Sequence, residues 1–317
     1  KVEKGNRVMT KHDRSQDVLD ALLCYLKEGK VEMKFNSEVK EIIRKENRIE
    51  KIILADGEEI IADKFIVCTG GKSYPVTGST GDGYAWAKNL GHTVTDLSPA
   101  LTPVIVKEKI VKELEGLSLK DAEIGVYKND KKIDSKSGDA LFTGDGMSGP
   151  IVINMSKIIA RELPGKVELR IDFMPELDLE ALDRKIQKEF QEGNNKLFRN
   201  SLDGLLPQKL IPVIIRLSEI DPEKKVNLVT REERKGLLNF LKSFSFEVKG
   251  VMWFEKAMVT SGGISLNEVD PKTMRSKIIE NLFFSGEVLD LDGPTGGYNL
   301  QICWSTGYAA GEAAGIN

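Results

Sequence analysis

The stretch Phe283 to Gln301, FFSGEVLDLDGPTGGYNLQ, holds the chain's densest run of residues suited to gripping a ligand. An apolar segment, Asn281 to Ser285, reads as a buried strand that ends in Gly286-Glu287. A turn-prone loop then reaches Gly296-Gly297-Tyr298-Asn299, where missing Cβ atoms let the backbone approach a bound molecule. Leu300 and Gln301 lead into a helix in which Cys303, Gly307, Ala310 and Ala314 recur at helical spacing. Such a helix, starting near Asn299, aims unpaired N–H groups and the positive end of its dipole at whatever lies before the Gly-Gly turn.

A flavin suits that geometry. Its N1–C2=O edge gains negative charge on reduction, so a helix N-terminus there favours the reduced form, and Glu287 is placed to accept hydrogen bonds from ribityl hydroxyls. The plain alternative is a structural turn, because glycine-rich turns before helices are common.

Positioning falls to the elements upstream. Ser37 to Gly71 reads as strand, turn, strand, turn, strand, strand: SEVKEIIRK, Glu46-Asn47, RIEKIILA, Asp56-Gly57, EEIIA, then the apolar run FIVC ending in Thr69-Gly70-Gly71. This is a three-stranded meander feeding a buried strand. The glycine-dense run Lys72 to Gly83 follows, then a short helix, Tyr84 to Leu90, closed by Gly91.

With these residues in view the chain resembles a known family. The CTGG ending at Gly71, the KSYPVTGSTGDGYAWAKNLGHT run, LFTGDGMSGP at Leu141 to Pro150, VTSGGISLNEVDPKTMRSK from Val259 and GEVLDLDGPTGGYNLQ occur in order over most of the chain. They are similar to the bacterial NAD(P)/FAD-dependent oxidoreductase family that includes aminoacetone-oxidase-like and bile-acid-reductase-like flavoproteins. The resemblance implies an α/β fold: a Rossmann-like FAD/NAD(P)-binding domain with a β-rich plus helical domain inserted before the VTSGG segment. It also implies FAD as cofactor, with Val39 near the adenine, Thr69, Gly70 and Gly71 on the diphosphate or ribityl side, and Gly286, Glu287 and Gly296 to Gln301 around the flavin. NAD(P)H and oxygen both stand open as the second electron partner.

Proteins of that type open with a strand, a GxGxxG turn and a helix holding the pyrophosphate. Here Lys1 to Thr10 is polar and basic, and Ser15 to Leu26 already reads as an amphipathic helix with Val18, Leu19, Leu22, Leu23 and Leu26 on one side. The expectation is a chain that starts downstream of a missing first βαβ unit and lacks half of the FAD site. Arg7 to Asp13 departs from the family's aromatic and proline after Arg-Val, and Gly144-Asp145 replaces bulkier side chains, so no substrate contact carries over at either place.

The remaining composition points to a cytoplasmic globular enzyme. Lys plus Arg number 46 and Asp plus Glu 49, a net charge of -3, which argues against a nucleic-acid partner held by a broad basic surface. No segment approaches a membrane span and no signal peptide stands at Lys1. Cys24, Cys68 and Cys303 sit in apolar contexts and read as buried thiols, with no metal-binding spacing. Cys303, one turn into the proposed flavin helix, is open between a redox role and small-residue packing. His92, after the Gly91 cap, reads as structural, and His12 lies in a polar stretch.

At 317 residues two domains are expected. Their boundaries read as 1–103 and 251–317 for the FAD-binding domain and 104–250 for the insertion, β-rich over 104–174 and mainly helical over 175–250. In the insertion, Ser148 reads as the cap of the helix IVINMSKIIA. Three polar side chains in the glycine-rich segments, Lys72, Tyr74 and Tyr298, either face a substrate or merely fix their loops, and no catalytic acid or base stands out.

The leading expectation is therefore an FAD-dependent oxidoreductase acting on a small organic molecule. A non-catalytic binding module with a vestigial flavin site and an RNA-modifying flavoprotein are the alternatives. An open sheet edge further predicts aggregation, swapping or dimerisation.

Overall fold

The computed structural model describes residues 1–3 and 7–315, and the chain divides into two compact units. The first comprises Lys1–Lys72, Ser79–Leu97 and Gly262–Asn317; the second comprises Ser73–Gly78 and Ser98–Ser261.

The first unit opens with a short antiparallel pair, Val2–Glu3 with Arg7–Val8, and continues into α1 (Ser15–Glu28). Its sequence is amphipathic as expected, yet no residue on it is buried, and Leu19, Leu22 and Tyr25 are all exposed. The meander follows as β1 (Val39–Lys45), β2 (Arg48–Leu54) and β3 (Glu59–Ile60), an antiparallel sheet in that order. Asp56 sets the second turn by accepting the Glu58 N–H at 2.9 Å, and Gly57 takes the left-handed backbone (φ 91°) that this turn needs. Next come β4 (Phe65–Val67) and α2 (Asp82–Asn89). Past the end of α2, Gly91 lies at φ 96° and the His92 N–H returns to the Ala87 carbonyl at 2.9 Å, so the helix stops where its glycine stands.

The second unit is built on a barrel. After β5 (Ser98–Ala100) and β6 (Val104–Val106) come the long hairpin β7 (Ser118–Lys128) and β8 (Lys131–Thr143), then β9 (Gly146–Ser148), α3 (Pro150–Glu162) and β10 (Val167–Asp172). Three helices, α4 (Leu179–Glu192), α5 (Ile211–Leu217) and α6 (Arg231–Lys242), precede β11 (Phe244–Val251) and β12 (Val259–Ser261). Six strands close in the order β8-β9-β6-β11-β10-β7, every neighbouring pair antiparallel. Alternation fixes which face is inside: Val167, Leu169 and Ile171 of β10 are fully buried while the residues between them are not. Phe244, Phe246 and Phe142 meet edge to face in the core, with centroids 4.8 and 5.7 Å apart.

Ser148 does not cap α3. The cap position belongs to Gly149 at φ 93°, where a Cβ would stand 2.8 Å from the Ala140 Cα, and Ser148 instead pairs with Leu141 in the barrel. In the helical lobe Asp178 caps α4 through the Ala181 N–H (2.7 Å), and Thr230 and Glu233 form a reciprocal capping box at the start of α6. The sequence reading runs the mainly helical lobe on to residue 250 and does not announce β11, whose alternating Phe244, Phe246 and Val248 complete the barrel.

The chain then returns to the first unit through β13 (Leu282–Phe284) and α7 (Tyr298–Gly315). β13 lies parallel to β4, and Val67, Tyr84, Leu282, Phe284 and Val288 share one core. The FIVC run is buried on one side only, for Ile66 and Cys68 face outward while Val67 packs inward. Among the described residues β13 is the one strand that pairs with β4, so its other edge is open.

Candidate functional site

Parallel pairing does the positioning. Val67 of β4 lies opposite Phe284 of β13, so the Cys68–Gly71 and Ser285–Val288 loops leave the carboxyl ends of adjacent strands together. The Ser285 N–H donates to the Val67 carbonyl at 3.1 Å and carries the pairing one step further. Carboxyl ends of parallel strands are where open α/β sheets hold ligands, because the two loops diverge there and leave a crevice. Asn281, almost fully buried, anchors β13 from behind: its side chain accepts the Ile49 N–H (2.8 Å) and donates to the Ile49 carbonyl (2.9 Å), as a backbone neighbour would.

Gly286 sits at φ 78°, its N–H bonded to the Thr306 hydroxyl of α7 at 2.9 Å. That hydroxyl in turn donates to the Ile302 carbonyl at 2.7 Å, so one side chain ties the loop to the helix. Close approach depends on small residues: a Cβ at Gly307 would lie 3.3 Å from the Ser285 Oγ, and one at Gly286 would lie 3.4 Å from the Cys303 Sγ. Thr306 and Ala310 are the buried members of this face.

Thr69 carries the most telling atom. Its Oγ1 is buried and has no hydrogen-bond partner among the described residues, a state that costs about 1–3 kcal/mol unless something binds there. Gly83 of α2 makes room for it, since a Cβ at that position would come within 2.1 Å of the Thr69 Oγ1. Gly70 lies at φ 70°, and Gly71 is buried beside it.

At the start of α7, Gly296 and Gly297 lie at φ 114° and 93°, and the space around Gly297 is open. The first amide bonded back within this turn is that of Gln301, to Gly297 at 3.0 Å, which leaves the preceding amides facing outward. Asn299 turns out to be a staple: its Oδ1 accepts the Gly293 N–H (2.8 Å) and its Nδ2 donates to the Gly293 carbonyl (2.9 Å). Gln301 donates to the Ser305 Oγ at 2.9 Å, while Tyr298 and Leu300 are exposed. Glu287 lies in the single helical turn Gly286–Val288, whose Glu287 carbonyl accepts the Tyr84 hydroxyl at 3.3 Å. Val39 stands in the meander, paired with Leu54, rather than in the β4–β13 pair.

The cysteines are not buried thiols: Cys24 and Cys68 are exposed and Cys303 is half-buried. Cys24 rides on the unburied α1, and Cys68 follows β4 with its thiol toward Ser285 and Cys303. Desolvation still pushes the thiols of Cys68 and Cys303 up, against a Ser285 hydrogen bond at Cys68 and with help from the Glu287 carboxylate at Cys303. Both therefore favour the protonated, weakly nucleophilic form.

His92 is structural. The Ser276 hydroxyl accepts the Ile278 and Ile279 N–H groups (3.0 and 2.8 Å), so its own proton goes to the His92 Nε2 at 2.7 Å. Burial pushes the imidazole's pKa down and holds it neutral against Phe284. Tyr74 belongs to the second unit, its N–H bonded to the Phe254 carbonyl at 2.7 Å with its backbone in the left-handed region (φ 55°). Ser73 beside it donates its N–H to the Thr260 Oγ1 at 3.1 Å.

Sequence reasoning missed the roles of Asn281 and Thr306. An asparagine heading an apolar strand was the available signal for the first and nothing in the pattern marked the second, whereas Gly83 lies in the glycine-dense run from Lys72 without its partner Thr69 being legible.

A family model described as HI0933-like protein Rossmann domain matches residues 1–313. The chain belongs to the HI0933-like Rossmann flavoprotein family. This HI0933-like chain is 31% identical over 313 residues, 98% of its length and 76% of the relative's, to the 3-dehydro-bile acid delta(4,6)-reductase of Clostridium scindens. It is 28% identical over 306 residues, 95% of the chain and 72% of the relative, to the ribosomal RNA dihydrouridine synthase of Escherichia coli. The protein of the same name from Haemophilus influenzae is 30% identical over 277 residues, 86% of the chain and 66% of that relative. No helix among the described residues is long and apolar enough to cross a membrane.

Proposed function

We propose that the protein is an FAD-dependent oxidoreductase that reduces a carbon–carbon double bond conjugated to a carbonyl in a small organic substrate, with NAD(P)H as the electron donor. The observation that carries this reading is the orphaned Thr69 hydroxyl at the carboxyl end of β4, beside the left-handed Gly286 turn of β13. A buried hydroxyl without a partner, two adjacent loops opened by glycines and the outward amides before Gln301 fit a group rich in hydroxyl and phosphate oxygens.

In this reading Thr69, Gly70 and Gly71 hold the diphosphate or ribityl side, Gly286 and Glu287 the ribityl chain, and the backbone of Gly296 to Gln301 the ring edge; Val39 serves the adenine. Asn299 acts indirectly, by fixing the loop from Gly293 so that the Gly-Gly turn keeps its opening. Bound there, FAD would carry the two electrons and the hydride between nicotinamide and substrate. The amides that open α7 would stabilise charge at that ring edge through the helix dipole.

The choice of an enone follows the names of the relatives. A delta(4,6)-reductase and a dihydrouridine synthase both imply saturation of a double bond next to a carbonyl. The second name also supports an alternative reading in which the double bond belongs to a uridine in RNA. A cytoplasmic location and a homodimer complete the proposal, supported by three free thiols and by the exposed apolar residues of α1.

The test is a visible spectrum of protein expressed from its complete coding region, purified and incubated with FAD. Flavin bands that survive gel filtration and bleach with NADPH under anaerobic conditions are expected, and re-oxidation by a 3-keto-4-ene steroid would support the small-molecule reading. A protein that takes up no FAD would sink the proposal. Turnover of uridine in ribosomal RNA, with none of the steroid, would favour the alternative.

A further inference from the structure

Two cysteines far apart in the sequence are brought together in the first unit. Parallel pairing sets Val67 opposite Phe284, and both side chains turn into the shared core. Side chains alternate along a strand, so the residues that follow, Cys68 and Ser285, turn together to the opposite face. The bond from the Ser285 N–H to the Val67 carbonyl (3.1 Å) keeps that register past the last paired residues.

α7 lies on this face. Its Thr306 hydroxyl meets the Ser285 hydroxyl at 3.4 Å and accepts the Gly286 N–H at 2.9 Å. Cys303 stands three residues before Thr306, on the same side of the helix. A Cβ at Gly286 would lie 3.9 Å from the Cys303 Cβ, within the separation of about 3.5–4.5 Å that a disulfide spans. Helix and strand end therefore approach at disulfide distance here, and Cys68 is the strand-side residue that carries a sulfur. The Cys68 thiol hydrogen-bonds with Ser285 and senses the charge of Cys303. Cys24, by contrast, is exposed on α1 and donates to the Glu28 carboxylate at 3.4 Å.

We propose that Cys68 and Cys303 are a redox-responsive dithiol that closes to a disulfide across the seam between β4 and α7. The oxidant is a small-molecule disulfide such as oxidised glutathione. Cys68, the more exposed of the two, reacts first: its thiolate attacks one sulfur of the oxidant, forming a mixed disulfide and releasing one glutathione thiolate. The Cys303 thiolate then attacks the Cys68 Sγ and expels the second. Both protein protons end on the two glutathione thiolates, so two thiols are oxidised and one small-molecule disulfide is reduced. Desolvation keeps both cysteines protonated, which makes the exchange slow and dependent on excess oxidant. Cys303 thus packs against Gly286 in the reduced state and resolves the mixed disulfide on oxidation, and the bond fixes the root of the Cys68–Gly71 loop to α7.

The test is incubation of the full chain with excess oxidised glutathione, followed by an acid quench, alkylation under denaturing conditions and peptide mapping without reductant. A cross-linked Cys68–Cys303 peptide is expected, with two of the three thiols lost and both restored by dithiothreitol. The melting temperature is expected to rise, because the bond closes a long loop of the unfolded chain. Cys68→Ser and Cys303→Ser are each expected to stop at a mixed disulfide with glutathione, whereas Cys24→Ser cross-links as the parent does. Cys303→Ala at an unchanged melting temperature replaces the serine variant if that one folds poorly. Thr69→Ala, in the proposed flavin site, is expected to cross-link normally, so loss of flavin and loss of the disulfide are read separately. Mixed disulfides that never resolve in the parent overturn the proposal. So does a bond that involves Cys24 or joins two copies of the chain, and so does a Cys68–Cys303 bond that lowers the melting temperature, since it would have been trapped outside the native fold.

Discussion

Replacing Gly83 with alanine is expected to unsettle the candidate site through a single contact. A Cβ at this position would stand 2.1 Å from the Thr69 Oγ1, 3.1 Å from a Val288 methyl and 3.3 Å from the Thr69 Cβ. The last two are tight but can be relieved by shifts of a few tenths of an ångström; the first requires about an ångström of movement by Thr69 or α2. Overpacking of that order costs about 1–3 kcal/mol. With a urea slope of about 2 kcal/mol/M, a cost near the middle of that range lowers the denaturation midpoint by about 1 M. Thr69→Ala removes the clashing oxygen, which is itself buried without a partner, so alone it is expected to be neutral or stabilising by up to about 1 kcal/mol. In that background Gly83→Ala is expected to cost less than about 1 kcal/mol, giving a coupling of about 1–2 kcal/mol in a double-mutant cycle. Tryptophan fluorescence in a Trp253→Phe background reads the first unit, because the other two tryptophans, Trp86 and Trp304, both lie there. Equal costs of Gly83→Ala with and without the threonine hydroxyl would refute the reasoning.

Three further outcomes can be checked alongside. His92 has a folded-state pKa below its ordinary 6.5, chiefly through burial, against the pull of the Ala87 carbonyl and Glu268 and with a smaller push from Arg44. Below pH 6.5 the unfolded chain therefore binds a proton that the folded chain refuses, and stability is lost as pH falls from there toward the folded pKa. Urea midpoints between pH 7.5 and 5.5 are expected to show this component in the parent and not in His92→Gln. Asn281→Ala strips both hydrogen bonds from buried Ile49 and is expected to cost about 2–4 kcal/mol by chemical denaturation. Thr230→Ala breaks the capping box of α6 and is expected to cost about 1 kcal/mol, read as a lower melting temperature of the barrel unit with flavin uptake unchanged.

The local signals in the sequence were strong where one residue type had one physical use. Asp56-Gly57 and Gly91 each mark a feature that the structure contains, because a left-handed turn and a helix stop leave few alternatives. Barrel closure was not legible, because β6, β9 and β11 become neighbours only through pairing distant along the chain. Burial of α1, of Cys24 and of Cys68 was misjudged because periodicity shows which side of an element is apolar and not whether anything lies against it. In the candidate site the glycines were readable, whereas the roles of Asn299 and Thr306 were not: each spends its side chain on backbone groups whose location only the folded loops define.

The parallel pair β4–β13 also imposes a schedule on synthesis. Ile49 emerges from the ribosome 232 positions ahead of Asn281, the residue that satisfies its backbone. Phe65, Ile66 and Val67 likewise wait for Leu282, Phe283 and Phe284. Every strand of the barrel leaves the exit tunnel in that interval, so the nascent chain can finish its second unit while the first still lacks a strand. Slowing translation between Ser261 and Leu282 would prolong the exposure of β4 and make the newborn protein dependent on chaperones, with no change to any contact in the finished fold.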